Sequence, residues 1–483
     1  MTHKIKFRKA ATKVSLLAIA TLGLSVSTSA WTTVHPNFDD QSKLVKIDKN
    51  PYPSSYTPLE SVSTLITNVN ILDGKGGMIE NGVVALRDGK IMYVGKNAPK
   101  MAFAKTIDGN GRWVTPGIID VHSHLGVYPS PGTGSHSEGN EATQPVTAEV
   151  WAEHGVWPQD AGFVRAAAGG VTALQILPGS ANLIGGRGVT LKNVPGRVAQ
   201  DMKFPNAPYG MKMACGENPK RVYGRGQNIS PQTRMGNVAG YRQAFLNAQD
   251  YQQQWAKYER EHKAGKDVIP PKRDLELETL VGVLEGDIIV NMHCYRADDM
   301  GTQLDLMKEF GYKIGAFHHA VEAYKIADRL AEEGVCAAMW ADWWGFKMES
   351  YDGIRENIPF VAKQANSCAI VHSDSAVGIQ RLNQEAAKAL ADGRKVGVDI
   401  SKAEAWAWVS RNPAKLLGID NQTGTLEAGK NADVVLWSSD PFSVYAKADM
   451  TFVDGAVIWD RHDASRQAIM DFELGQTAAG DMK

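Results

Sequence analysis

Two histidines one residue apart, His122 and His124, follow an apolar run at 114–119. The run predicts a β-strand over 118–124, and side chains two residues apart on a strand point to the same face. The two imidazoles would therefore lie side by side at the end of the strand, where they could bind a divalent metal ion. Two hydrogen-bonded core histidines would give the same pattern, so the pair alone is only a hypothesis about a metal site.

Other predicted strands also end on residues that can bind a metal ion. Four apolar stretches are each followed by His, Glu or Asp: 210–215 by Glu217, 288–292 by His293, 314–317 by His318 and His319, and 369–371 by Asp374. One such histidine could belong to a packed core, but four such strand ends in one chain are hard to explain by packing. Together they offer nitrogen and oxygen ligands for one or two divalent ions such as zinc, manganese, iron or cobalt, and we expect zinc.

The middle of the chain alternates short apolar strands with helical stretches, which predicts a parallel sheet. Strands are predicted at 118–124, 172–177, 210–215, 288–293, 313–317, 335–340 and 368–371, and an eighth is expected between 188 and 202. Eight strand–helix units in roughly 300 residues are typical of a (β/α)8 barrel, whose active-site residues gather at the carboxyl ends of the strands. Short strands and Asp-Gly turns on both flanks predict a small sheet assembled from the two chain ends.

The chain of 483 residues is divided by these patterns into six segments. We predict a signal peptide at 1–30, an extended arm or linker at 31–61, the first part of a β-sandwich at 62–114, the barrel at 115–420, the second part of the sandwich at 421–465 and a C-terminal tail at 466–483. The signal peptide rests on five basic residues, a short apolar run and small residues at 28–30. It implies export to the periplasm or the cell exterior, and an uncleaved anchor helix is the less favoured alternative.

The composition favours a small ligand over a large charged partner. The chain is 22% charged with a net charge of −1, which suggests neither a nucleic acid nor a membrane surface as partner. We expect a small-molecule or short-peptide substrate and no stable membrane insertion, and a homo-oligomer stays open. The four cysteines form no Cys-x-x-Cys pair and are predicted to be small buried hydrophobic residues, because barrel strands rarely place arbitrary pairs at bridging distance.

Several motifs resemble those of the amidohydrolase superfamily, in the branch related to imidazolonepropionase and metal-dependent dipeptidases. They are Pro-Gly-Ile-Ile-Asp-Val-His-Ser-His at 116–124, Gly-Gly-Val-Thr at 169–172, His319 followed by Glu322, the strand-end Asp374, Asn-Pro-Ala-Lys-Leu-Leu-Gly at 412–418 and Gly-Thr-Leu-Glu-Ala-Gly-Lys-Asn-Ala-Asp at 424–433. The match runs over most of the chain after residue 30. The resemblance implies a metal-dependent hydrolase in a distorted (β/α)8 barrel with a flanking β-sandwich.

The resemblance also implies which residues bind metal. His122, His124 and Asp374 would bind one ion, and His293 and His319 a second. We choose His319 over its neighbour because adjacent residues on a strand point to opposite faces and because His319 keeps the family's spacing to Glu322. His372 shares the face of Asp374 and is predicted to be a partner of a ligand instead of a ligand itself.

The ligand that bridges the two ions is less clear from the sequence. Many relatives use a carboxylated lysine on the fourth strand, and others use a glutamate on the third or fourth strand. We favour Glu217 over Lys212 because Glu217 lies at the end of its strand, where active-site residues of barrels gather.

The activity implied by the resemblance is hydrolysis of a C–N bond in an amide, a peptide or a cyclic amide. A metal-bound hydroxide would attack the carbonyl carbon, and Asp374 would accept the water's proton and pass it to the leaving nitrogen. A deaminase of a heterocyclic amine, using the same site with one metal ion, is the alternative enzyme. A non-catalytic binding protein on the same barrel is less favoured, because such a protein would be expected to have lost one or more ligands.

Three further residues are candidates for substrate binding. Arg187 lies in a glycine-rich loop predicted after the second strand, where it could bind a substrate carboxylate. Tyr295 and Arg296 follow a predicted metal ligand and could reach the substrate. An ion pair between Arg296 and Asp298 or Asp299 explains that arginine equally well.

Overall fold

The computed structural model describes residues 44–130 and 132–464. The predicted signal peptide at 1–30, the first part of the predicted arm and the predicted tail at 466–483 lie outside the described residues. Residues 44–63 contain no helix or strand. Within the described ranges, no helix combines the length and the apolar character that crossing a bilayer requires.

The described strands follow one another along the whole chain. In order they are β1 (Thr64–Leu72), β2 (Met78–Arg87), β3 (Lys90–Gly95), β4 (Lys105–Asp108), β5 (Trp113–Pro116), β6 (Ile118–Ser123), β7 (Val171–Ile176), β8 (Ile184–Lys192), β9 (Tyr209–Ala214), β10 (Ile288–His293), β11 (Ile314–His318), β12 (Cys336–Met339), β13 (Ala369–Val371), β14 (Val434–Trp437), β15 (Ala448–Val453) and β16 (Ala456–Asp460).

The described α-helices lie between or after the strands of the middle region. They are α1 (Ala161–Ala168), α2 (Ala199–Met202), α3 (Glu217–Pro219), α4 (Arg234–Lys263), α5 (Leu275–Leu284), α6 (Ala297–Phe310), α7 (Ala327–Glu333), α8 (Asn357–Ala362), α9 (Leu382–Lys395), α10 (Lys402–Trp406) and α11 (Arg411–Leu416). A capping box opens α10, where the Ser401 hydroxyl accepts from the Glu404 amide and the Glu404 side chain accepts from the Ser401 amide.

Strands β6 to β13 form one sheet in chain order, which we call the barrel sheet. Neighbouring strands are parallel except at β8, and the two end strands approach each other where the Asp374 amide donates to the His122 carbonyl oxygen at 3.0 Å. The result is a nearly closed barrel of eight strands with helices in the connections. The predicted fold class, a distorted (β/α)8 barrel with a flanking sheet from both chain ends, is confirmed.

Strand β8 corrects two predictions about the second part of the barrel. The stretch 177–188 was predicted to be a loop and the missing strand to lie between 188 and 202, whereas β8 begins at Ile184 and runs antiparallel to both neighbours. Residues 177–183 are too few for the crossover helix that a parallel neighbour requires. The glycines serve close packing within the strand, because a Cβ at Gly186 would lie 2.3 Å from the Val150 carbonyl oxygen.

The two chain ends meet in a second sheet, the flanking sheet. Its strand order is β16-β15-β14-β5-β1-β2-β3, with β4 also paired to β1. Both predicted Asp-Gly hairpins are present: Asp88 and Gly89 have φ of 52° and 74°, and Asp454 and Gly455 have φ of 46° and 74°. Only Gly117 separates β5 from β6, so the flanking sheet determines where the first barrel strand begins.

The prediction that the cysteines are unpaired was wrong. Cys215 bonds to Cys294 and Cys336 bonds to Cys368, with Cα–Cα distances of 5.3 Å and 4.5 Å. Each pair belongs to two adjacent strands in matching register: Ala214 pairs with His293, one residue before the first bridge. Adjacent strands lie about 4.8 Å apart, which is within the range that a disulfide spans.

Candidate active site

Six histidines, one lysine and one aspartate come together in the carboxyl-terminal half of the barrel: His122, His124, Lys212, His293, His318, His319, His372 and Asp374. Among the described residues, two sets of three have possible ligand atoms within 4.8 Å of one another. We call His122, His124 and Asp374 the open group, because the Asp374 and His124 side chains are 25% and 18% exposed. We call His122, His319 and His372 the buried group, because all three are fully enclosed.

The possible ligand atoms of the open group face one another. The Nδ1 atom of His124 lies 2.8 Å from the Leu177 carbonyl oxygen. Because a carbonyl oxygen can only accept, Nδ1 carries a proton, and Nε2 is the ring nitrogen that faces Asp374. The Asp374 Oδ1 atom lies 3.1 Å from this Nε2 atom and 3.5 Å from the Nε2 atom of His122.

A chain of hydrogen bonds determines the tautomer of His122. The Asn291 amide is oriented by its donation to the Ile289 carbonyl at 3.2 Å, and its Oδ1 atom lies 2.9 Å from Nε2 of His318. His318 therefore donates from Nε2 and accepts at Nδ1, which is 2.9 Å from Nδ1 of His122. His122 must donate there, so its Nε2 atom keeps the lone pair that faces Asp374.

His293 and His319 lie next to the open group. Their ring centres are 4.8 Å apart, and the Oδ2 atom of Asp374 is 3.7 Å from Nε2 of His319. The Nδ1 atom of His293 lies 2.9 Å from the Ser180 hydroxyl. His319 and Asp374 both have left-handed backbone angles, with φ of 63° and 48°, a strained conformation that clusters at functional sites.

Lys212 lies inside the barrel and not at its mouth. It is fully buried, and its Nζ atom is 3.2 Å from Nε2 of His122 and 3.0 Å from the Pro178 carbonyl oxygen. Burial lowers the pKa of Lys212 to about 8. Glu217, in contrast, begins α3 beyond the end of β9, where its Oε1 atom lies 3.4 Å from the Lys347 Nζ atom. Of the two candidates for a bridging ligand, the structure brings Lys212 to the histidines and leaves Glu217 with Lys347.

Burial also sets the charge of the ligand atoms. It lowers the pKa of His122, His293, His318 and His319 well below the ordinary value, so these imidazoles are neutral. Burial raises the pKa of Asp374, but the contact with His124 and the nearby positive charges outweigh it, and its net pKa lies below the usual range.

The residues present fit a divalent transition metal. Neutral imidazoles and an ionised carboxylate are the ligands that such ions prefer. Within the described chain, the buried Nδ1 atoms of His319 and His372 have no hydrogen-bond partner. Buried polar atoms are normally hydrogen-bonded, so these two nitrogens fit a site that holds a further ligand.

A model of the amidohydrolase family matches residues 285–458. An amidohydrolase from Thermotoga maritima has a crystal structure that superposes with a TM-score of 0.75 at 33% identity, and the alignment covers 82% of this chain and 100% of that one. This chain belongs to the amidohydrolase family.

Two curated relatives extend the comparison within the amidohydrolases. The protein named amidohydrolase tasK from Hapsidospora irregularis is 34% identical over 400 residues, which cover 79% of this chain and 40% of that protein. This chain therefore spans less than half the length of that relative. An imidazolonepropionase from Mesorhizobium japonicum is 26% identical over 385 residues, covering 75% of this chain and 87% of that enzyme. The resemblance to this branch of the superfamily is confirmed.

Two of the predicted substrate-binding residues lie in different surroundings in this amidohydrolase. The Tyr295 ring lies at the site, with its centre 4.7 Å from that of His293. Arg296 forms two hydrogen bonds with Asp298, at 2.9 Å and 2.7 Å, and its side chain is 41% exposed. The ion pair considered as the alternative for Arg296 is thus present.

Arg187 lies away from the histidines. It is on β8, opposite Met211 of β9, whereas Lys212 is opposite Gly186. Paired residues share a face of the sheet and successive residues alternate, so Arg187 and Lys212 point to opposite sides of the barrel wall. The structure therefore does not bring Arg187 to the site, because the stretch that contains it is a strand instead of a loop.

Several polar residues that orient the ligands were not identified from the sequence. Asn291 could have been found, because it lies two residues before His293 and so shares its face of the strand. Ser180 and Asn218, whose side chains lie 2.9 Å and 3.5 Å from the ring nitrogens of His293, come from segments without a regular pattern. The Trp340 ring stacks on the His319 ring at 4.5 Å between centres.

We predict that Ser373→Ala loosens the junction between the end strands of the barrel. The Ser373 hydroxyl donates to Oδ2 of the fully buried Asp120, and the Ser373 amide donates to Oδ1 at 3.1 Å. Removing the hydroxyl leaves a buried carboxylate with one donor fewer, which should lower the free energy of unfolding by about 1–3 kcal/mol in urea titrations. Ser367→Ala, which removes a 3.2 Å bond within a neighbouring turn, is the control and should cost less. Equal losses in the two variants would contradict the role of Asp120.

Proposed function

We propose that this amidohydrolase is a metal-dependent hydrolase that cleaves the C–N bond of an amide, a peptide or a cyclic amide. The open group carries this proposal: possible ligand atoms of two imidazoles and one carboxylate lie within 4.8 Å of one another. Asp374 and His124 are partly exposed while His122 is fully buried, so a substrate can reach one side of the group only. The substrate would be a small molecule or a short peptide.

The residues that would hold the metal ions divide as the sequence predicts. His122, His124 and Asp374 would bind one ion, and His293 with His319 a second. A bound divalent ion, with zinc expected, supplies a Lewis acid that polarises a carbonyl oxygen and lowers the pKa of water. His318 does not compete for an ion, since both of its nitrogens are engaged by Asn291 and His122.

Asp374 would move the proton of the reaction. Its pKa below the usual range keeps the carboxylate ionised at neutral pH, so it can accept a proton from the attacking water. Its exposed edge faces the opening of the site, where it can hand this proton to the leaving nitrogen. The amide of Asp374, which donates to the His122 carbonyl oxygen, and its left-handed backbone hold the carboxylate in this position.

We propose Lys212 in place of Glu217 as the bridging ligand. A buried ammonium next to neutral imidazoles is unfavourable, and the lowered pKa, about 8, makes the free amine of Lys212 accessible near neutral pH. The free amine can attack carbon dioxide, forming an N–C bond and releasing one proton, and the resulting carbamate is an anion. This change converts an unfavourable positive charge into a negative charge at the place where two metal ions would need one.

The proposal of export to the periplasm or cell exterior rests on the N-terminal sequence and gains support from the disulfides. Two disulfides in a protein of this size are typical of an oxidising compartment. A reducing cytosol would keep these cysteine pairs as thiols in most organisms.

Purified protein should contain about one to two equivalents of divalent transition metal per chain. Hydrolysis of a substrate found in a panel of dipeptides, N-acyl amino acids and cyclic amides should stop on chelation and return when metal is restored. His122→Asn should lose metal by elemental analysis, whereas His136→Asn, at an exposed position outside both groups, should keep it. Metal-free protein with full activity would contradict the proposed function.

Asp374→Asn should retain the fold and lose hydrolysis by roughly two orders of magnitude or more, because it removes both an acid/base and a ligand. The measurement is kcat/KM together with thermal unfolding and metal content. Asp298→Asn, which removes an exposed carboxylate from the neighbouring ion pair, is the control and should stay near normal. Near-normal turnover of Asp374→Asn would show that another group transfers the proton.

Lys212→Ala should lose one or both metal ions, whereas Glu217→Ala should keep them. Metal loading of the unaltered protein should also be weak when bicarbonate is withheld, because the carbamate cannot form. Elemental analysis of both variants, with and without bicarbonate, checks this. Loss of about one equivalent by Glu217→Ala, with metal-replete Lys212→Ala, would return the bridge to Glu217.

A further inference from the structure

A second concave site lies outside the barrel, away from the histidines. It is a cleft of about 1130 Å³ between the barrel wall, helices α4 and α5 and residues 44–52. Tyr209 and Ile288, the first residues of β9 and β10, line it. Because these strands are parallel and His293 ends β10, the cleft lies towards the opposite ends of the strands from the proposed active site. We call it the Arg187 cleft.

Arg187 is a buried cation whose charge is not matched by a nearby carboxylate. It is only 6% exposed, and its Nε atom donates to the Thr279 hydroxyl at 2.9 Å. Its guanidinium carbon lies 4.0 Å from the centre of the Trp151 ring and 5.4 Å from that of Tyr209. Among the described residues, no other hydrogen bond engages the guanidinium and no carboxylate oxygen lies within 4.0 Å of it.

The two carboxylates whose charges act on Arg187, Glu153 and Glu278, form hydrogen bonds with other residues. Glu153 accepts from Lys203 and from the Tyr209 hydroxyl, each at 3.0 Å. Glu278 accepts two hydrogen bonds from Arg273, at 2.7 Å and 2.8 Å. Burial lowers the pKa of Arg187 to about 10, so the group remains charged at neutral pH. A buried charge without a partner is costly, and the two remaining nitrogens of the guanidinium form a planar fork that matches a carboxylate.

We propose that the Arg187 cleft binds a small carboxylic acid with a flat apolar body, whose carboxylate lies on Arg187. Aromatic rings provide the surface for the apolar body: the Tyr52 and Trp151 rings contact each other edge to face at 5.5 Å, and Trp255 lines another wall. This site does not depend on the hydrolase proposed above.

Glu149 also lines the cleft, and its Oε2 atom has no hydrogen-bond partner within the described chain. Its negative charge opposes a bound carboxylate, so it serves as a control for the role of Arg187. Glu149→Gln should bind the acid at least as tightly as the unaltered protein, because a repulsive charge is removed and the arginine is kept.

The probe is 4-bromobenzoate, with the neutral 4-bromobenzamide as its matched control. Binding is measured by calorimetry on the full chain after chelation, so that no metal ion competes for the carboxylate. The unaltered protein should bind the acid saturably and the amide at least tenfold more weakly, and Arg187→Met should weaken binding of the acid by at least about tenfold. No saturable binding, equal binding of acid and amide, or unchanged binding by Arg187→Met would overturn the proposal.

Crystals of the unaltered protein soaked with 4-bromobenzoate provide a test that needs no variant. The anomalous signal of bromine should appear in the Arg187 cleft, with the carboxylate on the guanidinium. A signal only at the histidines or only at the protein surface would overturn the proposal, even if the calorimetry showed binding.

Discussion

The junction between the first and last barrel strands is the contact on which the proposed active site depends. The buried Asp120 accepts from the amide and the hydroxyl of Ser373, and the Asp374 amide donates to the His122 carbonyl oxygen. These bonds hold Asp374 beside His122 and His124, although some 250 residues separate them in the chain. Asp120 is fully buried, and burial raises the pKa of its carboxyl to about 7. The hydrogen bonds from Ser373 and His122 act in the opposite direction, because they stabilise the ionised form.

The site also shows how neutral histidines can be arranged for metal binding before any ion is present. Burial lowers the pKa of His122, His293, His318 and His319, and the chain from Asn291 through His318 decides which nitrogen of His122 keeps a lone pair. His124 is oriented in the same way by the Leu177 carbonyl. An ion would therefore meet ligands that are already oriented, which reduces the cost of binding.

The pair of strands β8 and β9 carries two buried cations on opposite sides of one wall. Lys212 faces the interior of the barrel and Arg187 faces the helices outside. The chemistry of the two side chains differs: the amine of lysine can lose its proton and react, whereas arginine keeps its charge and requires an anion. The same unfavourable burial of charge is thus the basis of both proposals, a carboxylated lysine inside the barrel and a carboxylate site outside it.

The sequence by itself determined the strands and hairpins whose formation depends on only a few consecutive residues. The apolar stretches before His122, His293 and Asp374 predicted the strands and their polar ends, and the two Asp-Gly pairs predicted their hairpins, because side-chain alternation and left-handed turns are properties of a few consecutive residues. The motif at 116–124 and the others spread along the chain were sufficient to recognise the family and the fold class.

Only the tertiary structure decided how distant elements are paired and which way their side chains face. The direction of β8 follows from a connection too short for a helix, and the disulfides follow from the register of adjacent strands. Lys212 contacts His122 across the barrel interior, because β9 lies three strands away from β6 in the curved barrel sheet and its lysine points inward, whereas Glu217 lies past the end of the strand and pairs with Lys347. Arg187 faces away from the site for the same reason, since a shift of one residue along a strand places a side chain on the other face of the sheet.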